Sequence, residues 1–182
     1  MSQFNISPEE VSKLEEKFEI KSNERKLKNF LKLLTFIALV TMSIYHFYAS
    51  GFGTIRDILH RGIHISFVVG LVFLFYNWKS FPDNKSKSKV PTIDIIFSIL
   101  VVITALYLPL LPSEILASRV GNPSSTEVIM GSILIILTLE AARRSIGYTL
   151  PLICVIFMIF ALYGPIFPGA LKHGGSSWAG FV

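Results

Sequence analysis

Five apolar stretches, each near the length needed to cross a bilayer as a helix, constrain this sequence more than any other feature. They cover residues 30–48, 62–78, 92–111, 127–142 and 149–167. A helix of about nineteen residues extends roughly 28 Å, close to the thickness of the hydrocarbon core. The chain is 52% hydrophobic and only 16% charged, unlike an average soluble domain. We therefore expect an all-α, polytopic integral membrane bundle with about five transmembrane helices.

Residues 1–28 precede the first apolar stretch and carry many charges of both signs. Ser7, Pro8 and Glu10 match the N-cap, the first helical position and the third helical position of a capping box. Apolar residues then recur at helical spacing, so we expect an N-terminal amphipathic helix in a cytoplasmic leader. It would lie either on the inner membrane surface or in solvent. Because these charges come before any long apolar run, we expect no cleavable signal peptide.

The basic residues are distributed unevenly between the two ends of the apolar stretches. With the N-terminus inside, thirteen Lys or Arg residues flank the inner ends, and four flank the outer ends: Arg56, Arg61, Arg119 and Lys172. This asymmetry fits the positive-inside rule and predicts a multi-pass protein with a cytoplasmic N-terminus. The basic residues behind the net charge of +5 would thus set the orientation of the protein in the membrane. We therefore expect membrane lipid, and no nucleic acid, as a partner.

The segment LEAARRSIGY, residues 139–148, places three charges between two apolar stretches. Glu140 precedes Arg143 by three residues and Arg144 by four, so either arginine can pair with it on a helix surface. A single helix through both stretches would bury these charges near mid-membrane, at a cost of several kcal/mol. We therefore expect a cytoplasmic turn, with the alternative that the fourth helix extends beyond the inner surface. In either case the three residues would have a structural and topological role.

A second polar group precedes the second stretch. Arg56, His60 and His64 are spaced four apart, and Arg61 lies three residues before His64. Two histidines at this spacing can bind zinc, but no clear third ligand follows, so we expect no metal site. Two interpretations stay open, namely contacts with lipid headgroups and an interhelical polar contact. No nucleophile and base are suitably placed, so we expect neither catalytic residues nor an enzyme, and no cofactor.

Two acidic residues lie near the ends of apolar stretches. Asp94, at the start of the third stretch, could be an acid embedded in the membrane, but the cost of such a charge favours a position among the headgroups. Glu127 follows Ser125 and Thr126, either of which could supply the N-cap of the fourth helix. We expect both acids to mark helix ends.

Several motifs occur within residues 127–175: Leu-Glu-Ala-x-Arg-Arg-x-x-Gly at 139–147, Leu150-Pro151, Tyr163-Gly164, Pro168-Gly169 and His173-Gly174. With these motifs the segment resembles the fused permeases of tripartite ATP-independent periplasmic (TRAP) transporters of the TAXI type. Residues 60–77, HRGIHISFVVGLVFLFYN, are also similar to the second span of that family. The resemblance is continuous from about Glu127 and patchy before it.

The resemblance implies a secondary transporter of the bacterial inner membrane, a symporter that takes up organic acids with an ion gradient, usually of sodium. An extracytoplasmic TAXI-type binding protein would supply the substrate. A small part of about four helices would support a large permease part of about twelve. By this division, 1–28 is the leader, 29–146 the small four-helix membrane domain, and 147–182 the fifth span and the start of the large part.

The large part would continue where this sequence ends, at Val182. We therefore expect either a fragment of a fused permease or a small subunit that joins a separate large one. No substrate or sodium ligand of the family can be assigned to these residues. The alternative is a membrane anchor or assembly protein that does not transport.

Overall fold

The computed structural model describes residues 24–25, 27–53, 56–78 and 89–182. These residues form an all-helical membrane bundle, which confirms the expected fold class. The expected amphipathic helix of the leader lies outside the described residues. The helices are α1 (Asn29–Phe52), α2 (Asp57–Phe75), α3 (Thr92–Tyr107), α4 (Ser113–Ser118), α5 (Ser125–Ser145), α6 (Thr149–Leu162) and α7 (Trp178–Phe181).

Each of the five apolar stretches forms a helix, but the helices differ in length. By length and composition, three of them could cross a membrane: Phe30–Phe52, Asp57–Phe75 and Ser125–Ser145. The other two, α3 and α6, have 16 and 14 residues and extend only about 24 and 21 Å. Both end earlier than predicted. The chain turns around Pro109 after α3, and a 3-10 turn at Gly164–Ile166 follows α6.

The core lies where α2, α3 and α5 pack together. Its buried apolar residues are Val69, Phe73, Val101, Leu137 and Ala141. Gly62 of α2 allows α3 to approach closely. A Cβ atom at this position would lie 2.8 Å from the backbone oxygen of Ala105 and 2.6 Å from Cγ of Pro109. Small residues at helix contacts are typical of membrane bundles, where close packing drives association.

The helices α1 and α6 pack at the edge of this core. The first contacts α2 and the second contacts α5, and both expose large apolar side chains, such as Phe47 of α1 and Phe157 of α6. The bundle has two distinct ends. The last turns of α2 and α5 and the first turn of α3 meet at one of them, where Asp94 and Arg144 are buried.

Candidate functional site

Asp94 lies at the centre of a buried cluster of charges. Its Oδ2 accepts a hydrogen bond from Nη2 of Arg25 at 2.7 Å, and its Oδ1 accepts one from Nη1 of Arg144 at 2.8 Å. All three side chains are almost fully buried. The place of Asp94 among the headgroups stays a prediction, but its side chain is buried within the protein. The residue is 1% exposed, and two guanidinium groups contact its carboxylate.

The local helix structure explains why these charges lie where they do. Asp94 is in the first turn of α3, where its backbone N–H bonds to the carbonyl of Pro91. Arg144 is in the last turn of α5. An acid at a helix N-terminus and a base at a C-terminus each interact favourably with the helix dipole. The pair thus stabilises two helix ends as well as joining them.

Arg25 ties the chain before α1 to the end of α2. Its backbone N–H bonds to the carbonyl of Phe75 at 2.6 Å, and its Nη1 lies 3.3 Å from the carbonyl oxygen of Phe73 and 3.1 Å from that of Leu74. Its Nε donates to Oδ1 of Asn77 at 3.0 Å. The last carbonyls of a helix lack partners within the helix. Arg25 therefore caps α2 and reaches Asp94 with the same side chain.

Glu140 pairs with both arginines of the family-like segment. Arg143 binds it through two bonds, Nε to Oε2 at 2.7 Å and Nη2 to Oε1 at 2.8 Å. Arg144 donates from Nε to Oε1 at 2.7 Å. The spacing in the sequence predicted a pair with either arginine, and the structure has both. We call Arg25, Asp94, Glu140, Arg143 and Arg144 the ion cluster.

Aromatic rings cover the guanidinium groups of the ion cluster. The guanidinium carbon of Arg144 lies 4.8 Å from the ring centre of Phe73 and 5.2 Å from that of Trp78. That of Arg143 lies 5.0 Å from the Trp78 ring and 5.3 Å from the Tyr148 ring. Such contacts attract a cation to the ring face, most strongly where water is excluded. The rings therefore stabilise the arginines where the carboxylates do not reach.

The ion cluster joins segments of the chain and has the chemistry of a structural site. It contains three guanidinium groups and two carboxylates, and each carboxylate contacts two guanidinium groups. A buried charge is tolerated only when it is paired and hydrogen-bonded. Four segments depend on one another for this pairing: the chain before α1, the end of α2, the start of α3 and the end of α5.

The second predicted group lies at the opposite end of the bundle. His60 and His64 each form a hydrogen bond with a side chain of α1. Nδ1 of His60 lies 3.1 Å from the hydroxyl of Tyr45, and Nδ1 of His64 lies 2.9 Å from Nε2 of His46. The sequence left open contacts with lipid headgroups and an interhelical polar contact, and these two histidines form interhelical contacts.

The two arginines of this predicted group are placed differently from the histidines. Arg56 precedes α2 and donates to the carbonyl of Pro109 at 2.6 Å and to that of Leu111 at 3.4 Å, just after α3. The side chain of Arg61 is exposed. The four residues therefore form no single site. Among the described residues, no group of three or more His, Cys, Asp or Glu side chains could hold a metal ion.

Glu127 begins α5 in a way that differs by one residue from the expected start. Ser124, not Ser125 or Thr126, is the N-cap, and it forms a capping box with Glu127. The Oε2 atom of Glu127 accepts from the backbone N–H of Ser124 at 2.7 Å, and its Oε1 accepts from Nη1 of Arg119 at 2.5 Å. This acid is therefore part of a helix start and an ion pair.

The sequence did not indicate Arg25 as a member of the ion cluster, nor Tyr45 and His46 as the partners of His60 and His64. Arg25 was one cation in a highly charged leader, with nothing to distinguish it. Tyr45 and His46 of α1 fit an aromatic belt at the end of a span, so their contacts with α2 had no separate signal. Only polar residues inside an apolar stretch, as at Asp94 and His46, could have indicated buried partners.

Comparisons of the chain with protein-family models, with curated proteins and with solved structures find no match. The family resemblance of residues 127–175 therefore stays a prediction.

Proposed function

We propose that this chain is the scaffold part of a TAXI-type TRAP permease in a bacterial inner membrane. One observation carries the proposal. Glu140, Arg143 and Arg144 belong to the segment that most resembles this family, and they form one side of the ion cluster. The resemblance thus falls on residues that hold the bundle together, as a scaffold requires.

A scaffold must keep one arrangement while a neighbouring part moves. Buried ionic groups favour a single arrangement in some proteins, because any other packing leaves charges unpaired. Here Asp94 joins α3 to α5 through Arg144, and joins both to the chain before α1 through Arg25. Close contact of α2 and α3 at Gly62 adds further rigidity.

The moving part would be a large permease subunit or domain that holds the substrate and the coupling ion. By the family resemblance, the substrate is an organic acid and the ion is sodium. The scaffold would contact this part through an apolar helix face, and α1 and α6 each expose such a face. The end of the bundle opposite the ion cluster would face outward and remain accessible to the extracytoplasmic binding protein.

Co-purification and transport test this proposal together. The full chain is co-expressed with the large permease part encoded next to it, and the pair is reconstituted with the neighbouring binding protein. We expect the two membrane parts to purify together and sodium-driven organic acid uptake to require both. Asp94→Asn should lower uptake, and Glu114→Gln, which changes an exposed acid of α4, should not.

The alternative, a membrane anchor or assembly protein, predicts other results. The genomic neighbourhood would then encode neither a permease of about ten further spans nor a secreted binding protein. If such a permease exists but transports equally well without this chain, the scaffold proposal is wrong.

A further inference from the structure

An apolar cavity of about 470 Å³ lies at the end of the bundle opposite the ion cluster. The first half of α2, the second half of α3 and the first half of α5 form its walls, together with residues around α4 and with Ala179 of α7 and Val182. Its apolar lining includes Ile58, Ile65, Ala105, Leu108, Val128 and Leu134. The volume falls within the range of small-molecule sites, about 300–1,000 Å³.

Most polar side chains on the cavity wall already have partners within the protein. The hydroxyl of Thr104 bonds to the carbonyl of Leu100 in its own helix at 2.8 Å. Arg119 and Glu127 pair with each other at 2.5 Å. These groups therefore offer little to a polar ligand. A metabolite with several hydroxyl or carboxyl groups would leave most of them without hydrogen bonds.

Arg61 differs from the other charged residues of the wall. Its side chain is exposed, and it forms no ion pair or hydrogen bond within the part of the chain that the structure describes. Val120, another lining residue, is 83% exposed, so both residues mark the opening of the cavity. The site thus combines an apolar interior with a cation at its mouth.

We propose that this cavity binds one acyl chain of an anionic phospholipid, with the lipid phosphate paired to Arg61. An apolar chain fits the lining, and the membrane around the helices supplies it at high concentration. A guanidinium binds phosphate through charge-assisted hydrogen bonds. The proposal does not depend on a transport function, because it follows from the cavity and the charge alone.

A lipid titration tests the role of the headgroup. The purified full chain is titrated in detergent with dioleoyl phosphatidylglycerol or with dioleoyl phosphatidylcholine, and bound lipid is counted by native mass spectrometry. We expect one phosphatidylglycerol to bind with higher affinity than phosphatidylcholine. Arg61→Gln should weaken phosphatidylglycerol binding about tenfold, the loss expected for one charge-assisted bond. The control Lys172→Gln also removes an exposed cation, but away from the cavity, and should bind normally.

A crosslinking experiment tests the role of the cavity. A benzophenone amino acid replaces Val120 at the opening or, as a control, Ser118, which is exposed but does not line the cavity. We expect light to link labelled phosphatidylglycerol at position 120 and not at 118. Val128→Phe, which fills part of the cavity, should reduce this crosslink while circular dichroism shows unchanged helix content.

Three results would overturn the proposal. Phosphatidylglycerol binding that Arg61→Gln leaves unchanged, or equal binding of the two lipids, would show that Arg61 does not select an anionic lipid. Displacement of the lipid by glycerol phosphate at equal concentration would show a headgroup site that does not need the cavity. Crosslinking of position 120 to a peptide in place of lipid would show that protein covers the opening.

Discussion

Asp94 and Arg144 form a buried ion pair, 2.8 Å between Oδ1 and Nη1, across fifty residues of sequence. One residue lies in the first turn of α3 and the other in the last turn of α5. Because Asp94 also binds Arg25, a single carboxylate holds three separate segments at one end of the bundle. The stability of this end should therefore depend strongly on its charge.

Replacement of Asp94 by Asn is expected to destabilise the bundle by about 3–5 kcal/mol. The change leaves Arg25 without its carboxylate and Arg144 with Glu140 alone, and unpaired buried charges are costly. Reversible unfolding in mixed detergent micelles measures the free energy. Glu114→Gln is the matched control, because that acid is exposed. Equal stability of the two variants would show that Asp94 does not hold the cluster together.

The neighbouring arginines should differ in their effects, although both bind Glu140. The side chain of Arg144 is 0% exposed and that of Arg143 is 16% exposed. Arg144→Gln removes the bond to Asp94 and should cost about 3–5 kcal/mol. Arg143→Gln leaves Asp94 paired and should cost about 1 kcal/mol, closer to a surface pair. The same unfolding assay compares them, and a larger effect at Arg143 would contradict the geometry.

The sequence predicted the helices well and their ends less well. Hydrophobic stretches of bilayer length identify helices because apolar side chains must fill each span. Hydropathy does not register where helical hydrogen bonding stops. The predicted stretches 92–111 and 149–167 therefore ran past the ends of α3 at Tyr107 and of α6 at Leu162, beyond which apolar residues continue in turns.

The sequence predicted the members of the ion cluster that are close in the sequence and did not predict the contacts between distant ones. Glu140, Arg143 and Arg144 were identified together because residues three and four apart share a helix face. The partners of Asp94 lie 69 and 50 residues away. Nothing local to Asp94 indicates which cations the fold brings near it. The sequence prediction therefore rested on the free-energy cost of a charge in the membrane, which favours a place among the headgroups.

Replacement of Gly62 by Ala tests the close contact of α2 and α3. The new Cβ atom would lie 2.8 Å from the backbone oxygen of Ala105 and 2.6 Å from Cγ of Pro109. A backbone oxygen cannot move aside as a flexible side chain can, so we expect a loss of about 1–3 kcal/mol. Gly51→Ala is the control, because its Cβ would meet nothing within 4 Å. There, alanine should be neutral or stabilise α1 slightly.

The contact between His46 and His64 should help to hold α1 against α2. Nδ1 of His46 lies 2.8 Å from the carbonyl oxygen of Met42, and its Nε2 lies 2.9 Å from Nδ1 of His64. His46→Phe keeps an aromatic ring but removes both ring nitrogens, so His64 loses its partner on α1. We therefore expect the two helix faces to move apart in this variant.

Spin labels at Phe47 of α1 and Val68 of α2, both exposed, report this separation once Cys154 is replaced by Ala. We expect the distance distribution of His46→Phe to be broader or longer than that of the unchanged sequence. Ser43→Ala serves as the control, because the Ser43 hydroxyl bonds to the carbonyl of Leu39 in its own helix, and it should leave the distribution unchanged. A distribution that His46→Phe does not alter would show that Tyr45 and His60, whose hydroxyl and Nδ1 lie 3.1 Å apart, hold the helices together without the imidazole pair.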